Sequence, residues 1–157
     1  MLTHCPSLRR TTSHPFKDIS DVMQVYKDVE FNYVKAICDI KQEQVVEEYV
    51  GEVISVKRGK QRENKWYMIE ATSPCWDGYI DSRFFGNETR FINHSCSPNL
   101  KSNIVVHLGQ PVLVLTSLRN IEKNEILTYD YFPYADKITY NFFDGKCKCG
   151  SAWCRKR

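Results

Sequence analysis

Arg90-Phe91-Ile92-Asn93-His94-Ser95-Cys96-Ser97-Pro98-Asn99 is the stretch on which the reading of this chain turns. An aromatic–aliphatic pair, Phe91-Ile92, leads into a run of hydrogen-bonding side chains. Taken apart, the pieces have ordinary explanations. Asn-His pairs make turns with local hydrogen bonds, and a cysteine such as Cys96 packs as a small hydrophobe. Further along, however, Cys147-Lys148-Cys149-Gly150-Ser151-Ala152-Trp153-Cys154 spaces three thiols as C-x-C-x4-C. So short a tail has no core of its own in which to bury them. Three thiolates at this spacing suit one tetrahedral zinc, with Gly150 easing the turn that gathers the sulfurs. A fourth ligand must come from elsewhere, and Cys96 is best placed to supply it. Free thiols are the alternative.

The 157-residue chain is long enough for one domain with an apolar core and short for two. Its 42% hydrophobic and 26% charged residues exclude a disordered or fibrous class. No run approaches the roughly 18 apolar residues of a membrane span, and the N-terminus lacks a secretory apolar core, so no membrane partner is expected. The formal charge of +3 is unevenly spread. Residues 1–17 carry Arg9, Arg10 and Lys17 without an acid, and residues 145–157 carry Lys146, Lys148, Arg155, Lys156 and Arg157 without an acid. Residues 18–144 hold 14 basic and 19 acidic residues, a net of −5. An acidic body favours a cationic partner. Seven cysteines, an odd number with no signal peptide, argue for a reducing compartment rather than a disulfide scaffold.

Most of the chain reads as short strands. Residues 1–17 are a polar lead-in, and 18–30 are expected to form a short helix capped by Asp18 or Ser20, with Val22, Met23 and Val25 at one end. The β-branched and aromatic residues of 44–54 predict a strand with a bulge or bend at Gly51. Lys57-Arg58-Gly59-Lys60-Gln61-Arg62 reads as a charged, solvated loop, with nucleic-acid contact as the second choice. Further strands are predicted over 65–70, 78–81, 103–107, 112–117 and 125–131, the third and fourth as a hairpin through Leu108-Gly109-Gln110-Pro111. The fold class is mainly β (α+β), built of small sheets.

The Arg90–Asn99 run resembles the central motif of SET-domain protein-lysine methyltransferases. Glu48-Tyr49-Val50-Gly51-Glu52 resembles their first strand motif, and Glu125-Ile126-Leu127-Thr128-Tyr129-Asp130-Tyr131 their closing one. Cys147, Cys149 and Cys154 look like the post-SET zinc element. The tail and the Tyr-Asp-Tyr motif are most similar to the trithorax-like, absent-small-homeotic and nuclear-receptor-binding SET branches.

The resemblance implies an N-terminal lead-in (1–28), a SET domain (29–134) closed by a C-terminal pseudoknot, and a linker with the post-SET motif (135–157). It implies zinc on Cys96, Cys147, Cys149 and Cys154. S-adenosylmethionine would meet Asn93, His94, Tyr67 and the backbone at Lys148. Tyr131 becomes the expected catalytic tyrosine, and Tyr129 the position that sets how many methyl groups are added. The implied substrate is a lysine of a histone tail, H3 for preference, in the nucleus, with the acidic body receiving the tail and the basic ends suiting nucleosomal DNA.

One departure stands out. Phe31-Asn32-Tyr33 occupies the place of the family's Gly-x-Gly cofactor loop, where a bulky Cβ-bearing residue can block a ligand's approach. It defines the alternative expectation: a SET module of little or no activity that binds chromatin as a scaffold. Cys5 and Cys38 do not form the multi-zinc cluster that precedes the domain in parts of the family, and Cys75 likewise has no assigned role.

Overall fold

The computed structural model describes residues 23–27, 32–73, 76–108, 110–132 and 147–155. The lead-in, Phe31, Cys5, Cys75, most of the 135–157 linker and tail, and most of the basic end residues lie outside this set. Among the described residues the protein is mainly β, in three small sheets.

The first sheet corrects an expectation. Residues Met23–Lys27 form a strand (β1), not a helix, paired antiparallel with β2 (Asn32–Ala36). Val25 and Tyr26 favour extended backbone, and pairing across the sheet overrides the weak helical pattern. In β2 the alternation is clean: Val34 and Ala36 are fully buried, while Tyr33 and Lys35 face the other way. β2 also leans on the closing motif, since the Ala36 N–H donates to the Glu125 carbonyl (3.0 Å) and the Leu127 N–H to the Val34 carbonyl (2.8 Å).

The expected 44–54 strand divides at Gly51 into β3 (Val45–Glu48) and β4 (Glu52–Ser55), which join different sheets. A Cβ built on Gly51 would lie 2.7 Å from Ile80 Cγ2 and 2.8 Å from the Asp81 carbonyl oxygen. The backbone oxygen has no rotamer by which to move aside. Gly51→Ala is therefore expected to destabilise the protein by about 1–3 kcal/mol, read from a denaturant melt, and an unchanged midpoint would refute this close packing.

β4 pairs with β6 (Trp76–Asp81), and β6 with β5 (Met68–Ser73), as a three-stranded antiparallel sheet. The charged segment between β4 and β5 is not the expected loop. Val56–Lys60 forms one short helix (α1), whose Ser55 hydroxyl caps the Arg58 N–H at 3.4 Å. Arg58 and Arg62 turn back onto Glu52 (3.1 and 2.8 Å), and Arg62 also approaches the buried Asp81 at 3.4 Å. Lys57 and Lys60 remain exposed.

The remaining sheet carries the site. Its order is β3, β9 (Gln110–Ser117), β8 (Leu100–His107), β10 (Thr128–Tyr129) and β7 (Asn93–His94). The expected hairpin is β8–β9, in register from Leu100↔Ser117 to His107↔Gln110. Val112-Leu113-Val114-Leu115 is buried without interruption because β9 lies inside the sheet and is covered on both faces. The closing motif supplies two residues of strand rather than seven. These two, Thr128 and Tyr129, run parallel to β7 and to β8 and fill the gap between them. Ile92, Leu100, Leu115, Leu127 and Tyr129 belong to one buried cluster beneath them.

Candidate active site and thiol cluster

The central and closing motifs meet along β7 and β10. Thr128 lies opposite Asn93, and Tyr129 opposite His94. The Ser95 N–H donates to the Tyr129 carbonyl at 3.1 Å. Asn99, almost wholly buried, acts as the clasp. Its Nδ2 donates to Glu125 Oε1 (2.9 Å) and the Ile126 carbonyl (2.8 Å), and its Oδ1 accepts the Thr128 N–H at 2.8 Å. One short amide side chain thus serves two groups of the irregular 126–128 backbone and adds to the Arg119 pairing of the Glu125 carboxylate.

Four tyrosines converge here. The Tyr129 and Tyr131 rings lie 4.7 Å apart, and the Tyr131 hydroxyl donates to the Ile92 carbonyl at 2.7 Å. Burial raises the pKa of both phenols above the ordinary tyrosine range, with the neighbouring tyrosines adding to the effect. Tyr49 is buried too, and that burial is the main cause pushing its phenol up to about 12. All three are neutral at physiological pH. Tyr49 donates its hydroxyl to the Tyr67 carbonyl (3.0 Å), which also accepts the Ser82 N–H at 2.9 Å.

These bonds hold Tyr67 at φ 61°, a left-handed conformation that costs a non-glycine residue about 1–3 kcal/mol. Its ring meets Phe91 edge-on (5.9 Å), and the Arg90 guanidinium lies over both rings, at 5.8 and 4.7 Å. The sequence alone assigns no role to Tyr49 or Arg90, although both sit inside the strand and central motifs. Alternation along a strand does not tell a packed tyrosine from one lining a site.

Asn93 donates its Nδ2 to the Asn32 carbonyl at 2.8 Å and so ties the central motif to the segment that replaces the Gly-x-Gly loop. The non-glycine residues at positive φ are Glu43, Tyr67, Leu108 and Asn124 among those described; Asn32 and Tyr33 are not of their number. Neither demands a glycine's backbone freedom. Tyr33 stacks on Tyr26 with 5.6 Å between centroids, and the Lys35 ammonium sits 5.6 Å from its ring. Its bulk lies on the face of β2 opposite the buried Val34 and Ala36.

The four predicted thiols are together. The sulfurs of Cys96, Cys147, Cys149 and Cys154 all lie within 4.8 Å of one another. A tetrahedron with Zn–S bonds near 2.3 Å has edges of about 3.8 Å. The Cys96–Cys147 sulfur distance is 3.8 Å, and the cysteines form no disulfide. Gly150 makes the connecting turn at φ 70°, with open space where a Cβ would stand. Lys148 is exposed between two of the thiols.

Burial disfavours charge on the sulfurs of Cys96, Cys147 and Cys149, yet the effect is uneven. Hydrogen bonds from the Cys96 and Ser151 backbone and from Cys147 and Cys154 outweigh it at Cys149, lowering that thiol to about 6. Arg155, His94 and Cys147 likewise lower Cys96. Burial, reinforced by hydrogen bonds to the other three sulfurs, pushes Cys147 up to about 12. A cluster holding charge on some thiols and protons on others fits a cation that would deprotonate them all. The residues suit zinc. Cys38, by contrast, is exposed and lies outside the cluster.

Residues 32–132 match the SET domain family model. The chain is 34% identical over 155 residues to "Histone-lysine N-methyltransferase trithorax" of Drosophila virilis, covering 94% of this chain and 4% of that protein. It is 37% identical over 139 residues to "Histone-lysine N-methyltransferase EHMT1" of Homo sapiens, covering 85% of this chain and 11% of that protein. With "Putative histone-lysine N-methyltransferase ASHH4" of Arabidopsis thaliana it shares 35% identity over 127 residues, 76% of this chain and 34% of the other. The chain therefore spans a small part of these relatives. Its matched length and the two joined motifs make it a member of the SET domain family.

Proposed function

We propose that the chain is a protein-lysine methyltransferase, taking a methyl group from S-adenosylmethionine to a lysine of a histone tail in the nucleus, with one zinc held by Cys96, Cys147, Cys149 and Cys154. The observation that carries this reading is the pairing of Asn93-His94 with Thr128-Tyr129 in adjoining parallel strands, with Asp130-Tyr131 directly after them, beside the thiol cluster. S-adenosylmethionine supplies an electrophilic methyl on a sulfonium, and the protein must align an amine with it and keep water out. A lysine ammonium has an ordinary pKa near 10.4, so presenting it neutral at pH 7.4 costs about 4 kcal/mol. A wall of neutral aromatic rings, Tyr49, Tyr67, Tyr129 and Tyr131, lowers that cost by withdrawing water from the charged form. With its phenol raised by burial, Tyr131 orients the amine rather than deprotonating it.

Asn93, His94, Tyr67 and the Lys148 backbone are the proposed cofactor contacts. The outward turn of Tyr33 removes one objection to cofactor approach, and supports activity over the scaffold reading. Histone H3 is the preferred substrate, and the acidic body the surface for its basic tail. The basic ends are proposed to touch nucleosomal DNA, which makes binding salt-dependent.

Radiolabelled methyl transfer to histone peptides, whole histones and nucleosomes tests the reading. Calorimetric titration with S-adenosylmethionine accompanies it, and absence of binding would favour the scaffold module. Tyr129 is proposed to limit the product to mono- or dimethyllysine, its hydroxyl holding a water that crowds the channel. Mass spectrometry should then show Tyr129→Phe shifting the product toward trimethyllysine. Abundant trimethyllysine from the wild type would remove that role.

A further inference from the structure

We propose that Arg155 is a positioning residue that couples assembly of the thiol cluster to the placement of Tyr131. The inference deepens the reading above and rests on it for its kinetic part. Arg155 directly follows the ligand Cys154. Its Nη2 donates to Asp130 Oδ1 at 2.6 Å. One side chain thus joins the segment that carries a ligand of the cluster to the residue between the two channel tyrosines.

Asp130 is well placed to pass this on. Its Oδ1 also accepts the Phe132 N–H at 3.0 Å, closing the turn that carries Tyr131. A parallel connection runs through His94. The Tyr131 N–H points at His94 Nδ1 (3.2 Å), which must present a lone pair to accept it. A ring that accepts there can donate only from Nε2, which faces the Cys96 sulfur at 3.4 Å. In that tautomer Nδ1 carries no proton to offer Asp130, although their atoms are 3.6 Å apart. Asp130 takes its cationic partner from Arg155 instead. The backbone of Tyr131 is therefore tied to one ligand sulfur by an imidazole, and its neighbouring carboxylate to the residue that follows another ligand, Cys154, by a guanidinium.

The charges favour this arrangement. Four thiolates on one divalent cation leave a net of about −2, and a guanidinium on the residue next to a ligand offsets part of it. Arginine suits the task better than lysine, since its planar fork matches the geometry of a carboxylate. A plain surface ion pair between Arg155 and Asp130 would leave metal retention untouched. That difference makes the proposal testable.

The experiment uses the full chain loaded with zinc. It measures the rate of zinc transfer to a chromogenic chelator, and kcat and KM on a histone peptide. Arg155→Gln should release zinc about tenfold faster and lower kcat about tenfold, with peptide KM little changed, the scale on which outer partners of ligands act. Asp130→Asn should lower kcat, and adding it to Arg155→Gln should cause no further loss. Arg155→Lys should fall between wild type and Arg155→Gln, and it carries the test if Arg155→Gln does not fold. Wild-type zinc transfer from Arg155→Gln overturns the proposal, as do kcat losses that multiply in the double variant. A chain that binds no zinc overturns it also, while leaving methyl transfer to its own assay. A chain that retains zinc but transfers no methyl removes the methyltransferase reading, and the release rates then decide the role of Arg155 alone.

Discussion

Tyr131→Phe should lower kcat for methyl transfer by about 100-fold or more, the scale of losing one preorganised polar group at a reacting centre. The ring would keep its neighbours, Tyr129 at 4.7 Å and His94 at 5.3 Å, so packing is retained. What disappears is the hydroxyl that donates to the Ile92 carbonyl at 2.7 Å. With its hydrogen committed there, the phenol oxygen presents lone pairs, and these suit an acceptor role toward a substrate amine. The stability cost of the lost hydrogen bond is about 1–2 kcal/mol, too small to unfold a typical domain. A fall in kcat with circular dichroism and cofactor affinity preserved is therefore the expected signature. Activity within threefold of wild type would reduce Tyr131 to a packing residue. Because burial raises the phenol well above its ordinary range, the rise of rate with pH should follow the substrate lysine, and survive in Tyr131→Phe at lower amplitude.

Removing the metal should have the second large effect. The chain as purified is expected to carry one zinc, and Cys149→Ser or a strong chelator to remove it. Structural zinc contributes on the order of 10 kcal/mol to small domains that fold around it. Here the loss falls mainly on residues 147–155, which join the body through Cys96 and Arg155. A lower melting temperature is expected, together with S-adenosylmethionine affinity weakened by about tenfold or more, equivalent to at least 1.4 kcal/mol. The cofactor effect is the diagnostic one. The proposed contacts at His94 and Lys148 both touch or flank the cluster, so its collapse disturbs both. Unchanged cofactor affinity in a verified zinc-free protein would separate the tail from the cofactor pocket.

Much of this site is legible in the residues themselves. Cys96 and the C-x-C-x4-C tail point to one another because three thiols at ligand spacing want a fourth. Asn93, His94, Tyr129 and Tyr131 are legible only through the resemblance of their motifs to those of the family. Arg155, in the sequence, is only one of the tail's positive charges, and Asn99 only the end of a motif. Their roles depend on partners 25 to 29 residues away in the chain: Asp130 for the first, and Glu125, Ile126 and Thr128 for the second. Local pattern carries no signal for such pairings.

The same division runs through the fold. Alternation of β-branched and aromatic residues, with Gly51 and the 108–111 turn as punctuation, is enough to determine a mainly β chain and its hairpin, because those preferences act within a few residues. It points wrongly to helix at 23–27, since a short apolar pattern is ambiguous until a partner strand pairs with it. It makes a loop of Lys57–Arg62 because the run of charges outweighs the Ser55 cap just upstream, and the turn of Arg62 onto the distant Asp81 carries no local signal. The insertion of Thr128-Tyr129 between β7 and β8 is decided by tertiary structure alone. Thr and Tyr both favour strands, but two residues cannot hold themselves extended; they are held there by hydrogen bonds on both sides, by Asn99 and by the burial of Leu127 and Tyr129.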